Sequence, residues 1–169
     1  MFEEDIKEYF TKTPFNNKKF PIITDNCLDD GCELKGDFKN CIILKGDNIV
    51  RCLKVNEKSV DFIVFAKKIH NNKVDVVLCE VTTGQKTFDD VLQKIRSSGE
   101  YILKVFEKLG YSVRNFDCIY LGNYKNESRL PISQGFTIPG FWRNDLRIDR
   151  YECGVNISQI KDLNFKQYQ

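Results

Sequence analysis

The chain has 169 residues, 41% of them hydrophobic and 12% aromatic, with only 4 prolines, so it can bury one substantial core and is close to the usual size of one domain. Its 26 Lys and Arg nearly cancel 24 Asp and Glu, which excludes the global field of an obligate polyanion binder; any nucleic-acid surface has to be local. The acidic start Met1-Phe2-Glu3-Glu4-Asp5 is unlike a secretory signal, and no stretch approaches the roughly 18 apolar residues of a membrane span, so a cytoplasmic protein with no membrane partner is expected.

In chain order, Phe2, Ile6, Tyr9 and Phe10 recur at helical spacing and predict a short amphipathic helix over 2–12. Residues 13–40 are polar and punctuated by Pro and Gly. Cys41 to Leu44, the turn signal Lys45-Gly46-Asp47-Asn48, and Ile49 to Leu53 predict a hairpin of two short strands. The strongest strand signals are SVDFIVFAK (Ser59 to Lys67) and KVDVVLCEVT (Lys73 to Thr82), joined through Ile69-His70-Asn71-Asn72 as an antiparallel hairpin. Thr87 is a good N-cap for a long helix whose apolar positions run from Phe88 to Leu109, with Gly110 placed to end it. Phe116 to Leu121 predicts a strand, residues 122–145 a loop rich in Gly, Pro, Asn and aromatics, and Ile148 to Ile157 a last strand.

This order predicts a single α/β domain over 1–169, with an N-terminal helix and cysteine-containing segment in 1–40 and a core over 41–157. Because a strand, helix, strand crossover usually gives a parallel neighbour, the central sheet is expected to be mixed and flanked by helices.

Seven cysteines are an odd number, and several interrupt apolar runs where Cys behaves as a small hydrophobe, so reduced thiols are expected. Cys27, Cys32, Cys41 and Cys52 could supply four thiolates to a structural Zn2+. Their spacing lacks the paired C-x2–4-C units of zinc knuckles, and buried thiols are the reading it favours.

The chemistry-bearing feature is the pair Asp61 and Glu80. With the turn centred between His70 and Asn71, the two fall directly opposite with Cβ atoms about 5 Å apart; with it centred on Asn71-Asn72, Asp61 faces Thr82 and Glu80 is diagonal at roughly 7 Å. Apolar residues on both faces of VDFIVF and VVLCEV predict a sheet covered on both sides, not acids on a solvated face. No obvious cation stands between the two carboxylates in the sequence, so a divalent ion is the expected means of satisfying both.

These residues resemble the PD-(D/E)xK, or restriction-endonuclease-like, nuclease superfamily. Asp61 in VDFIVF and Glu80 in VVLCEVT stand where its motif acids do, and the helix from Phe88 to Leu109 falls where its helix after the motif does. The resemblance covers roughly Cys41 to Ile157 and implies a restriction-endonuclease-like core. It further implies that Asp61, Glu80 and the Val81 carbonyl hold Mg2+ or Mn2+. Thr82 replaces the family's lysine, for which a neutral hydroxyl is a poor electrostatic substitute. A migrated lysine could fill the role: Lys86 ranks first, with Lys67 and Lys94 on flanking elements. Gln93 resembles the helix-borne glutamine that helps place substrate, and Glu4 or Glu8 could add an acid.

His70, the single histidine, reads as a turn residue, and neither a nucleophile triad nor a P-loop is present. In the loop 122–145, Tyr124, Lys125, Arg129, Phe136, Phe141, Trp142 and Arg143 interleave aromatic and basic groups; Lys125, Arg129, Trp142 and Arg143 are the candidates for nucleic-acid contact. The expected function is metal-dependent phosphodiester hydrolysis, on DNA, in repair, restriction or defence, with a homodimer or protein partner for targeting. The alternative is a catalytically degenerate nuclease-fold module that binds nucleic acid or a protein.

Overall fold

The computed structural model describes residues 2–12, 21–53, 57–82, 86–122, 136–138, 142–146 and 148–160. Helix α1 (Phe2–Lys12) is followed by the short strands β1 (Ile23–Thr24), β2 (Cys27–Asp29) and β3 (Cys32–Leu34). Strand β4 (Cys41–Lys45) runs straight into helix α2 (Gly46–Leu53), and then come β5 (Phe62–Ala66), β6 (Lys73–Thr82), helix α3 (Phe88–Leu109) and β7 (Ser112–Gly122). Strands β8 (Phe136–Ile138), β9 (Trp142–Leu146) and β10 (Ile148–Tyr151) complete the strands, and a short 3-10 turn at Ile157–Gln159 follows.

Six strands form the main sheet in the order β1-β4-β5-β6-β7-β10. The pairs from β1 to β6 are antiparallel, whereas β6-β7 and β7-β10 are parallel. The mixed sheet expected from the crossover helix is therefore present. Period-two alternation sorts its side chains onto two buried faces. One face, with Ile63, Phe65, Val76, Leu78 and Cys118, packs against Phe2, Ile6 and Phe10 of α1 and Val91, Ile95, Ile102 and Phe106 of α3. The other, with Phe62, Val64, Val77, Cys79, Val81 and Ile119, is covered by Cys27, Cys32 and Leu34 of the β2-β3 hairpin and by Ile157 and Ile160.

The second strand expected over 49–53 is instead helix α2. Ile49, Cys52 and Leu53 fall at helical spacing and pack with the α1/α3 core, so the run Ile49-Val50-Arg51-Cys52-Leu53 follows a period near 3.6 and not 2. The strand expected over 59–67 is shorter, and Asp61 lies one residue before its start. At the other end of the chain, the strand expected over 148–157 stops at Tyr151, and the following turn has Gly154 in the left-handed region at φ 88°. The loop 122–145 holds the antiparallel pair β8-β9, which forms a separate two-stranded sheet. Helix α3 begins and ends as its caps require: Thr87 Oγ1 accepts from Asp90 N at 3.2 Å, and Gly110 closes the helix at φ 80°.

Both turn registers considered for the central hairpin occur, at different levels. Asn71 and Asn72 are left-handed at φ 52° and 56°, and Lys73 N donates to His70 O at 3.0 Å, as a type I′ turn demands. The ladder above, with Phe62 opposite Cys79 and Phe65 opposite Val76, keeps the register that sets position 61 opposite Glu80. The irregular stretch after Ala66 absorbs the shift. At the same end of β6, a bulge between Val74 and Asp75 buries the Asp75 carboxylate, which accepts from Arg114 Nε at 2.9 Å and Asn115 Nδ2 at 2.7 Å. This pair compensates a buried charge far from the Asp61 and Glu80 end of the sheet.

The expectation of seven reduced thiols is corrected by a disulfide between Cys32 and Cys153. The two lie 121 residues apart in sequence with Cα atoms 5.0 Å apart, because β3 extends by pairing with the chain after β10. Gly154 N donates to Glu33 O at 2.7 Å, and Lys35 N to Val155 O at 2.9 Å. Nor do the four early cysteines converge on a zinc: Cys32 is oxidised, Cys27 and Cys41 lie in the hairpin-covered face, and Cys52 is across the sheet with α1 and α3. Among the described residues no helix is long and apolar enough to cross a membrane.

Alkylation of the unfolded chain without reductant is expected to modify five of the seven cysteines by mass spectrometry, and all seven after reduction. Replacing Cys32 and Cys153 together by alanine should cost about 2–4 kcal/mol in urea unfolding. Seven accessible thiols without reductant would contradict the pairing.

Candidate metal centre

Asp61 and Glu80 meet at the open end of the β5-β6 pair, beneath the first turns of α3. Glu80 has no accessible surface, and Asp61 is 6% exposed. Being outside the ladder, Asp61 turns its carboxylate back onto β6, where Oδ2 accepts from Val81 N at 2.7 Å. The Val81 side chain points into the opposite core, so this residue contributes backbone alone.

Two elements fix Asp61. Gly46, at the start of α2, donates from its N–H to the Asp61 carbonyl at 2.8 Å. A Cβ there would overlap the Val60 carbonyl oxygen and the Ser59 hydroxyl, so only glycine permits this approach. From the other side, Ser98 Oγ of α3 accepts from Val60 N at 2.9 Å, Ser97 Oγ donates to Lys58 O, and Lys58 Nζ pairs with Asp90 at 2.5 Å.

The expectation that no cation serves the carboxylates is overturned. Glu80 Oε1 accepts from Lys86 Nζ at 2.5 Å and from Lys94 Nζ at 2.7 Å. Burial alone would lower the Lys86 ammonium, but its hydrogen bond to Glu80 and the charges of Glu80 and Asp61 together outweigh that and hold it above its ordinary range. Of the three lysines considered in place of the motif lysine, Lys86 and Lys94 reach Glu80. Lys67 is not at this site: six residues beyond Asp61, about 20 Å along the strand, it pairs with Glu3 at 3.3 Å. Thr82 shares the buried face of Glu80 two residues further along β6. Gln93 is exposed on α3 and makes no hydrogen bond to either carboxylate among the described residues. Lys125 and Arg129 lie outside the described residues. Trp142 and Arg143 fall on β9, of which the backbone path alone is described.

The residues that sequence reasoning missed are Gly46 and Ser98, together with the direct role of Lys94. A signal existed for the last two. Val91, Lys94, Ile95 and Ser98 share the helical stripe that faces the sheet, and a lysine and a serine in such a stripe require polar partners beneath them.

The donor set fits a hard divalent cation. Glu80 Oε2 is buried with no hydrogen-bond partner among the described residues, although its twin oxygen carries two ammonium groups. A buried carboxylate oxygen beside a second carboxylate is a hard donor of the type that Mg2+ takes, since this ion commonly binds through one or two carboxylates and otherwise keeps water. Among the described residues no cluster of three or more His, Cys, Asp and Glu suitable for a metal is present, so the pair stands alone. Without a cation, burial first and the Glu80 charge second push the Asp61 carboxyl up to about 7.

Comparison with protein-family models, curated proteins and solved structures yields no match.

The raised Asp61 carboxyl fixes the sign of a pH effect. Below the ordinary carboxyl range both folded and unfolded chains are protonated there; as pH rises, the unfolded chain ionises first, and stability is lost up to about pH 7. In chelator, Asp61→Asn should flatten the decline in urea stability between pH 5 and 8, by on the order of 2 kcal/mol, and an unchanged slope would contradict the burial argument. Gly46→Ala should lower stability by about 1–3 kcal/mol in the same assay, since α2 and the Asp61 segment must separate to admit the methyl group; an unmoved midpoint would show that they part freely.

Proposed function

We propose that the protein is a metal-dependent nuclease of the restriction-endonuclease-like kind, hydrolysing phosphodiester bonds, with DNA as the expected substrate. The observation that carries the reading is the Glu80 carboxylate: one buried oxygen holds Lys86 and Lys94, and the other, beside Asp61, has no hydrogen-bond partner among the described residues. Its position supports the same reading. Glu80 lies near the C-terminal end of β6, and open α/β sheets bind ligands outside the carboxyl ends of their strands.

In this mechanism Asp61, Glu80 and the Val81 carbonyl would hold Mg2+ or Mn2+. The bound ion would supply a water of lowered pKa and positive charge for the phosphate. Val81 N–H keeps Asp61 oriented, and the Gly46 and Ser98 contacts keep its backbone from withdrawing. Lys86 and Lys94 both donate to Glu80 Oε1 and place two ammonium groups within reach of charge developing on the phosphate. This compensates for Thr82 in the lysine position of the motif. Thr82 is the best evidence for the catalytically degenerate alternative, and Lys86 at Glu80 is the observation that favours the active reading over it.

Plasmid and single-stranded DNA incubated with the protein in Mg2+ or Mn2+ should be cleaved. Asp61→Ala and Glu80→Ala should each lower the rate by about 10²–10³. Mg2+ should also raise the melting temperature of the wild type and leave that of both variants unmoved. Cleavage that survives both substitutions would remove this site from the reaction, and an inert wild type in either metal would favour the binding module.

A further inference from the structure

Beyond Glu80, the parallel half of the sheet continues the site sideways. The register sets Glu80 beside Tyr120 of β7, and Tyr120 beside Arg150 of β10. Leu78, Cys118 and Ile148, two residues earlier on the same strands, all lie in the α1/α3 core, so Glu80, Tyr120 and Arg150 share one face. Adjacent strands are about 4.8 Å apart, which puts the Arg150 backbone about 10 Å from that of Glu80, within the reach of an arginine side chain.

Gly122 indicates where the Tyr120 ring goes. A Cβ at Gly122 would lie 3.0 Å from the Tyr120 hydroxyl and 3.1 Å from two ring carbons. The ring is therefore folded along β7 toward the strand end, and the glycine leaves room for it. Burial raises the Tyr120 phenol, Arg150 opposes the rise and Glu80 adds to it, so both charged groups act on this hydroxyl. Along the row the chemistry changes from two carboxylates, through a phenol, to a guanidinium.

We infer that Tyr120 and Arg150 are the phosphate-holding half of the site, with the Arg150 guanidinium and the Tyr120 O–H taking non-bridging oxygens of the phosphodiester presented to Asp61 and Glu80. The inference rests on the nuclease reading. It assigns the two ends of the row complementary tasks: the carboxylates recruit the cation, and the guanidinium and phenol bind the anion that the carboxylates would repel. A planar donor fork beside a hydroxyl suits a tetrahedral phosphate better than a point charge does.

The test measures binding of a labelled DNA oligonucleotide in Ca2+ over a range of salt, together with cleavage kinetics in Mg2+. Arg150→Gln should weaken binding about tenfold and reduce the salt slope by about one, and Arg150→Lys should recover the slope but not all of the affinity. Tyr120→Phe should leave the slope unchanged and raise KM or lower kcat several-fold. The Mg2+-induced rise in melting temperature should persist in all three variants, because the carboxylates are intact. Wild-type affinity and slope in Arg150→Gln would overturn the inference while leaving the nuclease reading in place, as would loss of the Mg2+ response in that variant. A wild type that neither binds nor cuts DNA would overturn both.

Discussion

A carboxylate with no accessible surface must be compensated where it lies, and among the described residues Glu80 is compensated on one oxygen. An ionised carboxylate in a low-dielectric interior is costly unless paired, and removing one partner of such a group commonly costs 3–5 kcal/mol. The surroundings of Glu80 follow from that constraint. Lys86 has to precede α3 closely, Lys94 has to occupy a helical position that would otherwise be apolar, and the first turns of α3 have to cross the end of β6. The helix that roofs the core thus also supplies the counter-charges of the site.

The second carboxylate is held by a different logic. Asp61 sits outside the ladder, where the hydrogen bonds of a strand cannot fix it, and its place is set by contacts from two helices. Gly46 brings the start of α2 against its carbonyl, and Ser97 and Ser98 of α3 hold the three residues before it. Two acids from adjacent strands would separate if either were free to move. The close glycine contact and the buried serine hydroxyl make separation expensive, so their proximity is a property of the scaffold.

The far face of the sheet is closed covalently. The β2-β3 hairpin covers Val77, Cys79 and Val81, and the Cys32–Cys153 bridge ties it to the chain that follows β10. This restraint acts on the strand that carries Arg150. The two sides of the sheet therefore divide their tasks, with α3 and its charged residues on one and a small stapled cover on the other.

Much of this architecture was legible in the residues themselves. The central hairpin, the capped helix from Phe88 to Leu109 and the adjacency of Asp61 to Glu80 follow from local periodicity, from Thr87 and Gly110, and from paired asparagines that accept left-handed φ. These are short-range effects, decided within a few residues. The run Ile49 to Leu53 was not decidable in that way, because four apolar residues around Arg51 satisfy either period until a core is present to choose. The pairing of Cys32 with Cys153, the arrival of Lys94 at Glu80 and the row from Glu80 through Tyr120 to Arg150 join residues distant in sequence. Only the sheet order and the crossing of α3 bring such residues together, since burial and pairing across strands depend on which elements become neighbours.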